Sequence, residues 1–183
     1  MTKKIIISLA VIVALALGIL YARGLLSVHQ GITPPPQLAA LTLEKTPQNA
    51  PDVAFIDGTG GRHALSSFRG RYVLLNLWAT WCAPCVAELP ALARLQAYAP
   101  GLRVIPVNMD KGEVDPAAFL KSHKVRLPVF RDSDTVMLKS FKAYGLPMTV
   151  LIDPDGKVVA KAEGPADWDS PEAVAYFKRI TGS

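Results

Sequence analysis

The feature that most constrains this chain is a cysteine pair placed between a strand-like run and a helix-like segment. Residues 72–78 (Tyr-Val-Leu-Leu-Asn-Leu-Trp) are almost continuously apolar, as expected of a strand buried on both faces. Apolar residues then recur at helical spacing over residues 83–98. Cys82 and Cys85, the two cysteines of the sequence, lie at the junction. The pattern therefore predicts two thiols at the start of a helix that follows a buried strand.

Shorter segments on both sides complete an α/β pattern. Further strands are predicted at residues 53–56, 102–109, 129–131, 148–152 and 157–162, and further helices at residues 116–124, 135–144 and 171–180. The turn sequence of residues 153–156 (Asp-Pro-Asp-Gly) predicts a hairpin, and Ser170 is placed to cap the last helix. This order of elements indicates an α/β sandwich around a mixed sheet.

The first 23 residues carry a membrane-targeting pattern. Lys3 and Lys4 precede an uncharged, mostly apolar run over residues 5–22. As a helix rising about 1.5 Å per residue, this run spans about 27 Å, close to the hydrocarbon core of roughly 30 Å. A cleaved secretory signal has a shorter apolar core, and Leu20 stands where its cleavage site favours a small residue. We therefore expect an uncleaved anchor over residues 1–23 in preference to a cleaved signal.

Charge asymmetry gives this segment an orientation. Lys3, Lys4 and the amino terminus flank one side, whereas only Arg23 closely flanks the other. The positive-inside rule then leaves the N-terminus in the cytoplasm. We expect a single-pass protein of a bacterial inner membrane, with a linker over residues 24–50 and one periplasmic domain over residues 51–183.

The charge of the remaining chain argues against binding to nucleic acid. The whole sequence has a formal net charge of +5. From residue 46 onward, however, 16 Lys and Arg stand against 14 Asp and Glu. A nucleic-acid surface would need clustered basic residues on the folded part.

The start of a helix gives one thiol a physical reason to react. Unpaired backbone N–H groups and the helix dipole stabilise an anion there, which favours the thiolate of Cys82. Pro84 suits the first helical turn, where no ladder hydrogen bond is lost. Cys82 is therefore predicted to be the exposed attacking sulfur, and Cys85, one turn further, the sulfur that resolves a mixed disulfide.

Three other roles for the cysteine pair are weaker. A purely structural disulfide would close so short a loop that it would restrict the unfolded chain little. Two unreactive buried thiols would suit a cytosolic protein better than an exported one. A structural zinc site usually takes four ligands, and His29, His63 and His123 show no ligand-like spacing. We therefore predict no metal site and no cofactor.

The sequence resembles the thioredoxin superfamily and, within it, the TlpA/ResA/CcmG group of membrane-anchored proteins. The blocks that carry the resemblance are residues 75–85 (LNLWATWCAPC), 88–90 (ELP), 144–147 (YGLP) and 151–157 (LIDPDGK). The resemblance covers roughly residues 50–182. It implies a thioredoxin-like sandwich, with helices on both faces of a mixed central sheet, and disulfide exchange with protein substrates.

The same resemblance implies roles for single residues. The residues implied as catalytic are Cys82, Cys85 and Glu88, and those implied as substrate-binding are Trp81, Pro84, Leu146 and Pro147. Pro147 matches the family's cis-proline, which packs beside the disulfide. Trp78, by contrast, is expected in the core.

Asn76 departs from the family pattern. Plain thioredoxins have a buried aspartate at this position, which moves protons for the second thiol, and an amide cannot do so. Glu88 is the expected substitute, because it follows Cys85 by three residues and shares its helix face. The alternative is that Glu88 is an ordinary solvated residue on the helix surface.

Two functions of different classes follow. In the first, the domain is a reductant in an oxidising compartment, and because its electrons have to cross the membrane, a transmembrane thiol carrier is the expected donor. By resemblance, its substrates are apocytochrome c or the copper-site proteins of cytochrome oxidase assembly. The alternative is a metallochaperone in which both thiolates hold Cu(I), although nothing ties His123 to the pair. A peroxidase fits less well, since no activated cysteine stands apart from a resolving partner.

Overall fold

The computed structural model describes Gly18 and residues 33–183. Pro34–Ser183 form one compact unit. The predicted anchor, residues 1–23, and the first part of the predicted linker lie outside the described residues, apart from Gly18. In the part of the chain that is described, no helix combines the length and the apolar character needed to cross a bilayer.

The described residues contain one mixed sheet of eight strands. The strands are β1 (Leu41–Asn49), β2 (Ala54–Asp57), β3 (Arg62–Ala64), β4 (Tyr72–Trp78), β5 (Leu102–Asn108), β6 (Phe130–Arg131), β7 (Met148–Ile152) and β8 (Lys157–Glu163). Their order in the sheet is β1-β8-β7-β4-β5-β6-β2-β3. At the centre, β4 pairs with β5 in parallel and with β7 in antiparallel orientation. The predicted mixed sheet is confirmed.

Four α-helices lie within the described range 33–183. They are α1 (Ala83–Tyr98), α2 (Pro116–Ser122), α3 (Val136–Ser140) and α4 (Pro171–Thr181). The predicted bounds of β4, α1 and β7 match the structure. The helices α2 and α3 are shorter than predicted, because Lys124 and Lys142 adopt positive φ angles of 57° and 56°, which a helix cannot contain.

The two faces of the sheet carry different helices. On β4, the side chains of Val73, Leu75 and Leu77 belong to a core cluster with Met137 and Phe141 from α3 and the turn after it. The neighbouring Leu74 belongs to a second cluster, which includes residues of α1 and α4. Because side chains alternate along a strand, Asn76 lies on the same face as Leu74. The strand therefore directs an amide toward α1.

The helix α4 begins and ends as its sequence suggests. The Ser170 Oγ accepts a hydrogen bond from the backbone N–H of Ala173 at 3.2 Å, so the predicted N-cap is confirmed. At the other end, Gly182 has a φ of 70°, a left-handed conformation that glycine adopts without steric cost. This helix packs Tyr176 and Phe177 into the core.

The predicted end of the linker, at residue 50, is too late. Residues 36–38 form a 3-10 turn, and β1 pairs with β8 along the sheet edge. Leu38 is 0% exposed and Leu41 is 3% exposed, and both belong to the core cluster of α1 and α4. Sequence pattern did not reveal β1, because it is an edge strand with Pro47 inside it and an irregular register after Leu43.

The packing of the N-terminal segment predicts its contribution to stability. Leu38→Ala removes a fully buried side chain, so the free energy of unfolding should fall by about 2–5 kcal/mol. Thr42→Ala, at an exposed position of β1, is the control and should change it by less than about 0.5 kcal/mol. Urea unfolding of the full-length chain measures both. Equal, small effects would mean that residues 36–41 behave as a linker after all.

Candidate active site

Cys82 and Cys85 form a disulfide at the start of α1. Cys82 is the N-cap of the helix, and its Sγ accepts a hydrogen bond from the backbone N–H of Cys85 at 3.3 Å. Strand β4 ends at Trp78, only a few residues before. The predicted junction of a buried strand, two cysteines and a helix is therefore present, with a backbone N–H directed at the first sulfur.

The accessibility of the two cysteines differs from the prediction. Cys82 was predicted to be exposed, but it is only 5% exposed, and Cys85 is 0% exposed. Both belong to an apolar cluster with Trp78 and Leu120, against which Leu146 packs. The side chains of this cluster shield Cys82 from solvent, which explains why it is less exposed than predicted. Of the two cysteines, Cys82 is the one that keeps residual exposure.

A buried carboxylate fixes the loop that leads to Cys82. Asp110 is 2% exposed, and its two oxygens accept hydrogen bonds from the backbone N–H of Thr80 at 2.9 Å and the Thr80 hydroxyl at 3.2 Å. The Asn108 amide donates to the same carboxylate at 2.6 Å. Sequence reasoning missed Asp110. Its position just after β5, the parallel neighbour of β4, was a usable signal, because the ends of the two strands lie side by side.

The residues expected to bind substrate differ in exposure. Trp81 is 72% exposed, and Pro84 is also exposed. Leu146 is half-buried against the cysteine cluster, and Pro147 is buried. The Leu146–Pro147 peptide bond is cis, as predicted. The structure thus packs Leu146 against the cluster that contains both cysteines and leaves Trp81 and Pro84 exposed.

Two further aromatic residues, Trp78 and Tyr144, differ strongly in exposure. Trp78 is 1% exposed and belongs to the core, as predicted. Tyr144, which sequence reasoning did not select, is 91% exposed two residues before Leu146. Its high exposure had no signal in the sequence.

Glu88 is not a surface residue. It is only 4% exposed, which excludes the solvated alternative. Its Oε1 accepts a hydrogen bond from the Asn76 amide at 2.8 Å, and its Oε2 accepts one from the Trp168 indole N–H at 2.8 Å. Because Cys85 lies three residues earlier on the same inward helix face, the carboxylate is buried one turn below the second cysteine.

The polar network extends across the sheet. The Asn76 Nδ2 also donates to the Thr149 hydroxyl at 2.9 Å, and Asn76 pairs with Thr149 between β4 and β7. Among the described residues, the buried Asn76 Oδ1 has no hydrogen-bond partner. A polar residue in each of two apolar strands is a signal for such a network. The sequence offered no comparable signal for Trp168.

Burial changes the acidity of Glu88. Loss of solvation raises the pKa of this carboxyl above its usual value, although hydrogen bonds from Trp168, Asn76 and the backbone of Ala166 act in the opposite direction. Desolvation is the largest of these effects on the pKa of Glu88. It raises the pKa because a medium of low polarity disfavours the charged form of the carboxyl. The carboxyl therefore holds its proton to a higher pH than an exposed glutamate does.

The surroundings of the cysteine pair offer little to a metal. In the described residues, no group of three or more His, Cys, Asp or Glu side chains is arranged to hold an ion. The His123 ring stacks on Phe119 at 4.1 Å, and its Nδ1 lies 2.9 Å from the Phe119 carbonyl oxygen. His123 is thus occupied by packing within its own helix end.

Sequence comparison places the chain among known proteins. The AhpC/TSA family profile matches residues 46–161. The thiol-disulfide oxidoreductase ResA of Bacillus subtilis is 36% identical over 118 residues, which are 63% of this chain and 66% of that protein. The ResA of Bacillus thuringiensis subsp. konkukian is 32% identical over 136 residues, which are 73% of this chain and 78% of that protein.

Structural comparison agrees with the sequence matches. A crystal structure from Chlorobium tepidum, described as a thiol:disulfide interchange protein DsbE, superposes with a TM-score of 0.64 at 30% identity. The superposition covers 77% of this chain and 98% of that chain. The chain therefore belongs to the AhpC/TSA family, and among its thioredoxin-like members it is a ResA-like thiol–disulfide oxidoreductase.

Proposed function

We propose that the Cys82/Cys85 dithiol reduces disulfide bonds of other proteins. The observation that carries this proposal is the arrangement at the start of α1. Cys82 caps the helix and keeps a small exposed area, Cys85 is fully buried, and a buried carboxyl lies one turn below. One sulfur is thus available for attack and the other is kept for the second step.

The proposed exchange proceeds in two steps. The Cys82 thiolate attacks one sulfur of a substrate disulfide, which forms a mixed disulfide and releases the other substrate sulfur as a thiolate. Cys85 then loses its proton and attacks the Cys82 Sγ. The second substrate sulfur leaves as a thiolate, and the Cys82–Cys85 bond forms, so two electrons have passed from the dithiol to the substrate. The oxidised product of this sequence is the disulfide that the structure contains.

The start of the helix supports the first step. The backbone N–H of Cys85 already lies within hydrogen-bonding distance of the Cys82 sulfur. When the disulfide opens, this donor and the helix dipole stabilise the negative charge on Cys82. Cys82 is the helix N-cap and Cys85 lies inside the helix, so this stabilisation favours Cys82 as the nucleophile.

Glu88 supports the second step as a proton acceptor for Cys85. Asn76 occupies the strand position from which an acid would serve this thiol, and an amide cannot take up the proton. The amide instead donates to Glu88, which is held on the inward face of the same helix as Cys85. Because burial raises the pKa of Glu88, the carboxyl exchanges protons closer to neutral pH than an exposed glutamate would.

An exposed rim next to the disulfide is the proposed contact surface for the substrate. Trp81 and Pro84 offer exposed apolar surface, and Leu146, which precedes the buried Pro147, packs against the cysteine cluster. An extended substrate segment lying along this rim would bring its disulfide to Cys82.

The proposed setting is the outer side of a bacterial inner membrane. Its support is the sequence of residues 1–23, with Lys3 and Lys4 before a long apolar run. A reductant working there needs electrons from the cytoplasm, so a transmembrane thiol carrier is the proposed donor. The resemblance to the TlpA/ResA/CcmG group supports apocytochrome c or copper-site assembly proteins as the substrates.

Cysteine variants test the order of the two steps. Cys82→Ser should reduce the rate of insulin-disulfide reduction to that of the uncatalysed reaction, because the nucleophile is lost. Cys85→Ser should instead accumulate mixed disulfides, visible on non-reducing gels and removed by a small thiol. Full activity of Cys82→Ser would refute the assignment of the nucleophile.

A glutamate variant tests the buried carboxyl. Above its raised pKa, Glu88 is ionised and disfavours a second negative charge on the nearby thiols. Glu88→Gln removes this charge, so the alkylation rate of the reduced protein should rise at a lower pH than in the wild type. Glu113→Gln, at an exposed position, is the matched control and should leave the profile in place. Superimposable profiles for Glu88→Gln and the wild type would contradict a role for Glu88 in thiol ionisation.

A further inference from the structure

The Trp168 side chain makes a contact that packing alone does not require. Trp168 is 0% exposed and lies in the segment between β8 and α4. Its indole N–H donates to the Glu88 Oε2 at 2.8 Å, although the two residues are far apart in sequence. An indole nitrogen can donate a hydrogen bond but cannot accept one. The Oε2 atom is therefore held as an acceptor in both protonation states of Glu88.

The other oxygen of Glu88 has a partner that can reverse its role. The Oε1 atom accepts from the Asn76 Nδ2 while the carboxyl is ionised. The Asn76 Oδ1 is buried and has no hydrogen-bond partner among the described residues. Rotation of the amide would present Oδ1 to a proton on Oε1, and the Thr149 hydroxyl, as donor or acceptor, can follow either orientation. The two sides of the carboxyl are thus chemically unequal.

We propose that Trp168 is a positioning residue that holds Oε2 as a permanent acceptor and so confines the exchangeable proton of Glu88 to Oε1. This inference rests on the proposed role of Glu88 in thiol ionisation. In this proposal, the influence of Glu88 on thiol ionisation depends on the indole N–H of Trp168, a donor from the C-terminal part of the chain. Trp168 acts through Glu88 and does not touch the reacting sulfurs in this account.

The segment around Trp168 is fixed from two sides. Asp169 pairs with Arg94 of α1, the helix that also carries Glu88. The backbone N–H of Asp167 donates to the carbonyl of Gln37 at 3.3 Å. The N-terminal turn that sequence reasoning assigned to a linker therefore supports the donor. Such support is what a precisely placed hydrogen bond to a buried carboxylate requires.

Glu88 is the titrating group in the contact between Trp168 and Glu88, and the charged residues nearby are exposed or paired with other groups. On the Trp168 segment, Asp167 is exposed and the Asp169 carboxylate is engaged by Arg94. From β4 the neutral Asn76 amide faces Glu88, and the same amide donates to the neutral Thr149 hydroxyl of β7. On α1 itself, Arg94 is paired with Asp169, Tyr98 ends the helix ten residues after Glu88, and the cysteine pair of the reduced protein lies one turn before Glu88.

The test compares four variants of the full-length chain in the reduced state. They are Trp168→Phe, Glu88→Gln, the double variant, and Phe177→Leu as the packing control. Phe177 shares the core cluster of Trp168, so its truncation reproduces a loss of packing without removing the indole donor. Thiol alkylation is measured across pH, together with urea unfolding to match the losses in stability.

The proposal predicts a specific pattern in the alkylation profiles. Trp168→Phe removes a donor to the ionised carboxyl, so the inflection contributed by Glu88 should move to higher pH, by about one unit. The double variant should match Glu88→Gln, and Phe177→Leu should keep the wild-type inflection. These three results together support the proposal.

The contrary results are equally distinct. If Glu88→Gln alters the profile and Trp168→Phe does not, the Trp168 proposal is overturned and the proposed role of Glu88 stands. If the Trp168→Phe effect persists in the Glu88→Gln background, Trp168 does not act through Glu88, and the proposal is overturned as well. If neither variant alters the profile, both fail together.

A second measurement does not depend on the folding of Trp168→Phe. The chain has three tryptophans, so a ¹⁵N spectrum should resolve three indole N–H signals. One indole signal other than that of exposed Trp81 should titrate with pH in the wild type and lose this titration in Glu88→Gln. The Trp81 signal is identified with Trp81→Phe. Indole signals that do not respond to Glu88 would contradict the hydrogen bond on which the proposal is built.

Discussion

Burial of β4 on both faces is the constraint on which the active site depends. Because the strand is central and its neighbours are β5 and β7, its end is fixed, and the loop that follows must deliver Cys82 to the start of α1. Asp110, at the end of β5, holds this loop through the Thr80 backbone and hydroxyl. The position of Cys82 is therefore set by the end of β4 and by the hydrogen bonds between Asp110 and Thr80.

The same strand places a polar group beneath the helix. Asn76 lies on the face of β4 that meets α1, and it donates to one oxygen of the buried Glu88 carboxyl, whose other oxygen accepts from Trp168. An unpaired buried carboxylate would be costly, so the hydrogen bonds from Asn76 and Trp168 stabilise the fold in addition to their proposed role in the chemistry. These two donors explain why a carboxyl group is tolerated on the inward face of α1.

Much of this arrangement follows from the sequence, and the remainder depends on contacts between distant segments. The buried strand, the helix after it and the cysteine junction have strong local patterns, so their bounds could be predicted. Glu88 could be selected from its helical spacing to Cys85, but its burial depends on Trp168, eighty positions later. The strand β1 escaped prediction because its stability comes from pairing with β8 and from the burial of Leu38, neither of which leaves a periodic pattern.

The two cysteines are expected to differ in reactivity, and limited alkylation of the reduced protein measures this difference. The protein is exposed briefly to less than one equivalent of an alkylating reagent, and mass spectrometry of the peptides locates the label. We expect the label almost entirely on Cys82, the helix cap that keeps residual exposure, and no modification of Cys85. Equal labelling of both cysteines, or preferential labelling of Cys85, would refute the assignment of Cys82 as the nucleophile.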